Sequence, residues 1–401
     1  MKKTIVIGVT GGIAAYKSAQ LCSNLKKKGY DIHVIMTQNA TEFITPLTFE
    51  TLTHNRVSVQ TFDRTFKYDV NHISLAQQAD LFLVAPATAN FIAKAAHGLA
   101  DDMLTTTFLA AGCPKLIAPA MNTGMLNNPI TKRNFSICID GGIEFVEPAS
   151  GLLACGDVGA GKLADLEDIE DKIEEMLQRE KPLKGKTVMV TAGPTQEPMD
   201  PVRFVSNHSS GKMGYAIARA ARNLGASVKL ISGPTHLKPP VGVQLIAVKT
   251  ASEMFEALKQ YEDAYQILIK TAAVSDFRPK SVAQEKIKKN GQSAKTVEFV
   301  ANDDILAYLG TSKKEGQVLC GFAMETQNLI ENAAKKLHQK GADMIVANSL
   351  AEAGAGFGVD TNKVTFVTKD GTESLDLMEK DQVARQIMDR LTGILKDKQT
   401  I

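Results

Sequence analysis

The stretch Thr4-Ile5-Val6-Ile7-Gly8-Val9-Thr10-Gly11-Gly12-Ile13-Ala14-Ala15-Tyr16-Lys17 decides the fold of the first half of the chain. Its β-branched run from Thr4 to Val9 predicts a strand, and Gly8, Gly11 and Gly12 predict a tight turn at its end. Small residues then carry a helix through Ala14, Ala15, Lys17 and Ala19 to Lys28, where Gly29 stops it. Ile32 to Met36 is the next apolar strand, which completes a β-α-β unit. Further outward, apolar runs at Leu81 to Ala85, Lys115 to Ala118 and Ile143 to Val146 are separated by helical or glycine-rich stretches. This alternation favours a parallel sheet, because parallel neighbours need crossovers and helices supply them. The first half therefore reads as one open, doubly wound α/β domain.

The charged stretch from Leu166 to Lys186 begins as a helix and ends at Pro182 and Gly185. After it the pattern restarts with a strand over Thr187 to Thr191 and a turn at Ala192-Gly193-Pro194-Thr195. A helix over Gly214 to Leu224, a stop at Gly225 and a strand over Val228 to Ser232 follow. The halves share architecture but little sequence, so two different Rossmann-like domains explain them better than a repeat array. The expected division is residues 1–185 and 186–401.

The chain's 401 residues exceed one small module, and 44% apolar residues suffice for two cores. Forty-six Lys and Arg against forty-four Asp and Glu leave a net charge of +2, which gives nucleic acid no generic surface. Five cysteines (Cys22, Cys113, Cys138, Cys155, Cys320) are widely spaced without a CxxC, so neither a disulfide framework nor a zinc ribbon fits. The opening two lysines and apolar run imitate a secretion signal, but glycines and Lys17 interrupt it, and no later stretch is long and apolar enough for a membrane. These features predict a soluble, unprocessed cytoplasmic protein with no membrane or nucleic-acid partner.

Each half carries a glycine-rich turn between a strand and a helix. Such a turn lets backbone N–H groups approach a phosphate at a helix N-terminus, and it equally serves as a turn alone. Neither turn has the GxGxxG spacing, and the second strands end at Thr37 and Ser232 where an NAD site would want an acidic residue. The string Ser209-Ser210-Gly211-Lys212-Met213-Gly214 is not a P-loop, since Ser206 stands for its first glycine and Met213 for its Mg-binding hydroxyl residue.

Three strings come next: Pro86-Ala87-Thr88-Ala89-Asn90, Gly98-Leu99-Ala100-Asp101-Asp102-Met103-Leu104 and Pro119-Ala120-Met121-Asn122-Thr123-Gly124-Met125. Each is expected after an apolar strand, where open α/β sheets bind ligands. With the opening glycine turn they resemble, over residues 1–180, the flavin-binding cysteine decarboxylases that act on 4'-phosphopantothenoylcysteine. The resemblance implies a flavodoxin-like flavoprotein domain binding FMN through Gly11, Gly12, Thr37, Thr88 and Asn90. Read alone, Thr37, Thr88 and Asn90 are equally turn and cap residues. The resemblance also matches His72, placed just before a helix, with the family's active-site histidine. Asn122 matches the asparagine that binds the departing carboxylate, and Cys155 the cysteine that protonates an enethiol. Without it, His72 is structural or solvated and Asn122 caps a loop. The glycine density from Ser150 to Lys162 predicts a mobile flap around Cys155. The other four cysteines read as small core residues. A flavin suits this chemistry, because CO2 loss from an unactivated carbon leaves a bare carbanion, whereas transient oxidation of the thiol supplies an electron sink. Leu126 departs from the family motif, which commonly ends in Trp.

In the second half, the long run from Gly193 to Gly214 (GPTQEPMDPVRFVSNHSSGKMG) closely resembles the signature of phosphopantothenate-cysteine ligases. It implies that Asn207 and Arg203 meet the acyl substrate and its activated intermediate; alone, Arg203 would pair with Glu197 or Asp200. The nucleotide is implied at Asp276 (ribose or base) and at Lys286 in Glu285-Lys286-Ile287-Lys288-Lys289 (triphosphate). Asp304, Ile305, Phe322, Lys336 and Lys340 complete that site, although a lysine run alone is usually a solvated face. Asn302-Asp303-Asp304-Ile305-Leu306 matches a family NPDIL motif except at Asp303.

The joint resemblance is to a bifunctional enzyme of bacterial coenzyme A biosynthesis. It implies attack of 4'-phosphopantothenate on CTP to give an acyl-cytidylate, displacement of CMP by cysteine, and decarboxylation of the product to 4'-phosphopantetheine. Mg2+ is implied with the triphosphate, its ligands unknown, and a homo-oligomer with trimeric flavin domains and dimeric ligase domains. Two rivals, a flavin-binding regulatory protein and a flavin prenyltransferase-like fusion, leave either the catalytic set or the ligase signature unexplained.

Overall fold

Parallel strands with apolar side chains on both faces dominate each half of the computed structural model, which describes residues 2–62, 71–153, 156, 158–178, 180–288, 296–325, 328–349, 356 and 358–400. The chain divides into two units, Met1–Arg179 and Glu180–Ile401.

In the first unit, β1 (Thr4–Val9) leads through the glycine turn into α1 (Ala15–Lys27) and β2 (Asp31–Met36). The helices α2 (Gln38–Thr41), α3 (Pro46–Thr53) and α4 (Asn71–Gln78) precede β3 (Leu81–Ala87). Then come α5 (Ala89–His97), α6 (Met103–Ala110), β4 (Lys115–Pro119), α7 (Thr123–Asn127), α8 (Pro129–Asp140) and β5 (Glu144–Phe145). A hairpin of β6 (Ala149–Leu152) and β7 (Val158–Lys162) and the helix α9 (Leu166–Leu177) close the unit. The sheet order is β2-β1-β3-β4-β5, all parallel, which is the flavodoxin-like order with its reversal between β1 and β3. All of β3 is buried, hence its unbroken apolar run. Each fully buried Leu or Val there stabilises the fold by about 1.5–3 kcal/mol. Helix α1 turns Ala15, Ser18, Leu21, Cys22 and Leu25 inward, and Gly29 ends it at φ +91°, a conformation costly for other residues.

The second unit opens with β8 (Thr187–Ala192), β9 (Gln196–Pro198), β10 (Phe204–Ser206) and α10 (Lys212–Asn223). It continues with β11 (Ser227–Ser232), β12 (Gln244–Ala247), α11 (Ala251–Gln260) and β13 (Ile267–Lys270). Next are β14 (Phe277–Pro279), β15 (Phe299–Ala301), α12 (Ile305–Ser312), β16 (Val318–Glu325), α13 (Leu329–Gln339) and β17 (Met344–Ser349). Four short strands, β18 (Thr361–Asn362), β19 (Val364–Thr368), β20 (Gly371–Ser374) and β21 (Met378–Glu379), lead into α14 (Lys380–Thr400). The main sheet runs β12-β11-β8-β13-β16-β17-β19-β20. Its first six strands are parallel in the Rossmann order, reversing between β8 and β13, and β19 and β20 add an antiparallel edge.

Several expectations need correction. β3 runs past Ala85 to Ala87 because its register shifts after Val84, which accommodates Pro86. The Gly98 to Leu104 string follows the helix α5 and not a strand. His72 lies inside the first turn of α4, whose polar start hides the helix from an apolar-periodicity reading. α10 begins two residues early, at Lys212, because Gly211 at φ +80° forms its N-cap. Cys22, Cys138 and Cys320 are buried, but Cys113 is only half-buried. The two ends of the glycine-dense segment, Ala149–Leu152 and Val158–Lys162, pair as the strands β6 and β7, an order that the expectation of a flap did not include.

A buried carboxylate pins α14 to the sheet of the second unit. Asp343 accepts from Lys398 Nζ at 2.7 Å, Lys313 Nζ at 2.9 Å and the Leu319 N–H at 2.8 Å. Burial pushes its pKa up, but Lys398, the Leu319 N–H and Lys313 together hold it below the ordinary carboxylate value. Its folded pKa being depressed, its stabilisation is present above about pH 4 and is lost as pH falls through the folded value. Asp343→Asn leaves two lysines uncompensated, with an expected cost of about 3 kcal/mol. Calorimetry should show a Tm lowered by about 6–12 °C in a unit of this size. A shift below about 2 °C would exclude this anchoring role.

Candidate functional site

At the reversal between β1 and β3 lies a cavity of about 500 Å3, bordered by Gly11, Gly12, Thr88, Met121, Asn122 and Leu153. A Cβ on Gly11 would stand 2.5 Å from Asn39 Cβ, so the turn presents bare backbone. Thr88 caps α5: its hydroxyl accepts the Phe91 N–H at 3.3 Å, and its own N–H donates to Thr10 Oγ1 at 3.0 Å. Thr37 caps α2 by accepting the Ala40 N–H, and Asn122 caps α7 by accepting the Gly124 N–H at 2.7 Å. The cap reading of these three residues is thus realised in the fold. Of the first-half candidates, Gly11, Gly12, Thr88 and Asn122 border the cavity, whereas Thr37, Asn90 and His72 do not. Tyr16 and Lys17 border it too. Sequence reading passed over them, although a cation one turn after a phosphate-type turn was a usable signal.

Cys155 lies outside the described residues. The hairpin that brackets it pairs Leu152 with Val158 and is fastened beside Asn122. Thr123 Oγ1 donates to the Ala160 carbonyl at 2.7 Å, and the Met121 N–H to the Gly161 carbonyl at 2.9 Å. Gly161 has φ +130° and a Cβ there would meet Met121 O at 2.2 Å, so no other residue allows this approach.

A second cavity, about 220 Å3, lies at the reversal between β8 and β13. Gly193, Lys212, Lys270, Asp276, Phe322 and Lys336 border it. α10 approaches closely because Gly214 has no side chain: a Cβ would stand 2.6 Å from Ala192 Cβ. Lys336 Nζ donates to the Phe322 carbonyl at 2.9 Å. Lys212 turns to Asp360, 2.7 Å away. Burial pushes the Lys270 ammonium down to about 8, with Lys336 adding to the effect and Asp304 and Asp276 opposing it. Lys270 was missed in the sequence, where its only signal is a cation ending an apolar strand.

Around this cavity, Asn207 Nδ2 donates to the Ala273 carbonyl at 3.0 Å. The Asn302 N–H donates to the Asp276 carbonyl at 2.8 Å, which ties the NDDIL segment to the residue just before β14. Asp304 caps α12 and pairs with Lys340 at 2.6 Å, and Ile305 is the buried first residue of that helix. Lys259 pairs with Glu256 at 3.1 Å, which raises its pKa, and Asp303 adds only a weak attraction through space. Asn207, Arg203, Lys286, Asp304, Ile305 and Lys340 do not border the cavity. Arg203 takes the pairing open to it from sequence alone: its Nε and Nη2 reach Asp200 Oδ2 at 3.0 and 2.7 Å. Glu197 instead accepts the Ala251 N–H at 2.9 Å. Among the described residues no group of three His, Cys, Asp or Glu side chains could hold a metal, and no helix is long and apolar enough to cross a membrane.

Two doubly wound domains, each with a cavity at its own strand reversal, define a two-site α/β protein. Comparison with known proteins narrows the class. A family model described as Flavoprotein matches residues 1–178, and one described as DNA/pantothenate metabolism flavoprotein C-terminal domain matches residues 183–395. The chain is 48% identical over 398 residues to the coenzyme A biosynthesis bifunctional protein CoaBC of Bacillus subtilis (strain 168), with 98% of each chain covered. The protein of the same name from Vibrio cholerae serotype O1 is 45% identical over 387 residues, covering 96% of this chain and 97% of that one. A solved C-terminal domain of a CoaBC protein aligns with 54% of this chain and 99% of its own, at 46% identity and a TM-score of 0.47. The chain belongs to the CoaBC family of bifunctional coenzyme A biosynthesis proteins, which carry phosphopantothenoylcysteine decarboxylase and phosphopantothenate-cysteine ligase activities.

Proposed function

We propose that residues 186–401 join 4'-phosphopantothenate to cysteine at the expense of CTP, and that residues 1–185 decarboxylate the product to 4'-phosphopantetheine with FMN. The observation that supports this most is the separation of the two cavities into two units, each at its own strand reversal.

The first cavity suits FMN on its own chemistry. Bare N–H groups at Gly11 and Gly12, and a helix start with no acidic residue in its first turn, suit a phosphate. The remaining lining, largely apolar, suits a flavin ring. When bound, FMN supplies the transient oxidation that turns the substrate's thiol carbon into an electron sink. Thr88, at the cavity, acts on the cofactor side, and Thr37 and Asn90, outside its border, belong to the same reading. The Gly124 N–H on Asn122 Oδ1 makes the amide nitrogen the donating end, which suits a role in binding the substrate carboxylate. Cys155 delivers the closing proton, and His72 serves proton transfer from the start of α4.

In the second unit, Asp276 meets the ribose or base beside Phe322, both at the cavity, while Asp304 and Ile305, outside its border, belong to the same reading through the start of α12. Lys336, at the cavity, and Lys286 and Lys340, which stand outside its border, serve the triphosphate in this reading. A substrate carboxylate oxygen bonds to the α-phosphorus as pyrophosphate leaves; the cysteine amine then bonds to the acyl carbon as CMP leaves and the amine loses a proton. Lysine cations offset the charge that builds on the phosphate oxygens, and Mg2+ arrives on the triphosphate. Asn207 orients the acyl group, and Arg203 works through its loop. Self-association, trimeric through the flavin half and dimeric through the ligase half, belongs to the same reading.

An absorbance spectrum of the purified chain, followed by pyrophosphate release with 4'-phosphopantothenate, cysteine and either CTP or ATP, tests this. A flavin band that added FMN can restore, with faster release from CTP, is expected. Colourless protein that FMN cannot reconstitute, or no release with either nucleotide, would contradict it.

A further inference from the structure

A carboxylate is seldom fully buried unless something compels it. Asp200 is buried at 3% exposure within the turn linking β9 to β10. Its Oδ1 accepts the Val202 and Arg203 N–H groups at 2.8 Å each. Its Oδ2 accepts the Arg203 side chain and, at 3.0 Å, the N–H of Ile287, which is 87 positions further along the chain. Arg203 Nη2 completes the arrangement by donating to the Ile287 carbonyl at 2.5 Å. Both backbone polar groups of Ile287 are therefore held by one ion pair. The Ala283 N–H, donating to the Met199 carbonyl at 3.0 Å, fixes the same loop four residues earlier. Ile287 lies between Lys286 and Lys288, which are exposed.

We propose that Asp200 is a positioning residue for the ligation step: with Arg203 it clamps Ile287 and so sets where Lys286 stands before a nucleotide arrives. This rests on the reading that Lys286 serves the triphosphate. A lysine on a loose loop must be ordered at binding, whereas a clamped one has met that entropy cost in the resting protein. Burial pushes the Asp200 pKa up, but the N–H groups of Ile287 and Val202 and the Arg203 side chain outweigh it and hold the carboxyl far below its ordinary value. The clamp thus stays ionised across any working pH. The arrangement also explains why Arg203 faces its own loop and not the cavity.

The test uses the full chain in four forms: unchanged, Asp200→Asn, Lys286→Gln and the double variant. Asp200→Asn should lower kcat/KM for CTP in pyrophosphate release about tenfold. Decarboxylation of supplied 4'-phosphopantothenoylcysteine should be unchanged, and tryptic cleavage after Lys286 and Lys288 several-fold faster. In the Lys286→Gln background the same change should cost less than about twofold, because residues acting through one another are not additive. Full additivity in the double variant, or unchanged tryptic cleavage, would overturn the proposal and leave Asp200 a local anchor. If Lys286→Gln leaves release unchanged, the nucleotide reading fails and the role of Asp200 in ligation with it, while the cleavage rates still report whether the clamp exists.

Discussion

Lys286→Gln lowers nucleotide-dependent pyrophosphate release by about 10²- to 10³-fold, the usual cost of removing one group aimed at charge developing in a transition state. Glutamine keeps most of the length and can still donate a hydrogen bond, so what is lost is the positive charge. Attack on the α-phosphorus concentrates negative charge on the departing pyrophosphate, and a fixed cation there lowers the barrier more than it strengthens ground-state binding. The loss should therefore appear mainly in kcat. Decarboxylation of supplied 4'-phosphopantothenoylcysteine should stay within about twofold, because Lys286 belongs to the second unit and the flavin-type cavity to the first. A coupled pyrophosphate assay beside a carbon dioxide assay on one preparation measures both. Equal loss of both activities in a folded variant would contradict the two-site account.

Cys155→Ser has the opposite pattern, with 4'-phosphopantetheine formation falling by about 10²- to 10⁴-fold and pyrophosphate release unchanged, the range expected for loss of a general acid. An ordinary thiol titrates near 8.5 and gives up its proton far more readily than an alcohol. No other cysteine is suited to replace it. Burial pushes Cys22 up to about 12 and Cys138 up to about 11, and it raises Cys320 and Cys113 as well. Those thiols are weaker acids set in or against the cores. Product analysis by mass spectrometry should show a dehydrogenated, decarboxylated thiol accumulating in place of 4'-phosphopantetheine. Normal product formation by the variant would remove Cys155 from the reaction.

These expectations draw on two kinds of signal in the chain. The strand-turn-helix starts at Thr4 and Thr187 were legible because apolar runs, glycines and helix stops follow fixed periods. The strand orders were not legible, since which strands become neighbours depends on crossovers that no local pattern encodes. Polar residues just after a strand were ambiguous for a physical reason. Thr37, Thr88 and Asn122 stand where a ligand would sit and also where the next helix needs a cap, and their hydrogen bonds serve the caps. Arg203 carried a similar ambiguity, which Asp200 resolves in three dimensions. The clamp on Ile287 joins segments 87 residues apart and left no trace in any sequence window. Lys270 looked like an ordinary strand end, and only the surrounding burial and the neighbouring Lys336 mark it as unusual.

The central claim is that one chain first builds an amide and then removes CO2 from it at a separate site. Cysteine labelled at its carboxyl carbon, supplied to the purified chain with 4'-phosphopantothenate, follows both steps at once. The account predicts labelled carbon dioxide only when 4'-phosphopantothenate and CTP are both present, preceded by pyrophosphate and matched by 4'-phosphopantetheine. Labelled carbon dioxide from cysteine without the nucleotide, or pyrophosphate release with the label retained in the final product, would contradict it.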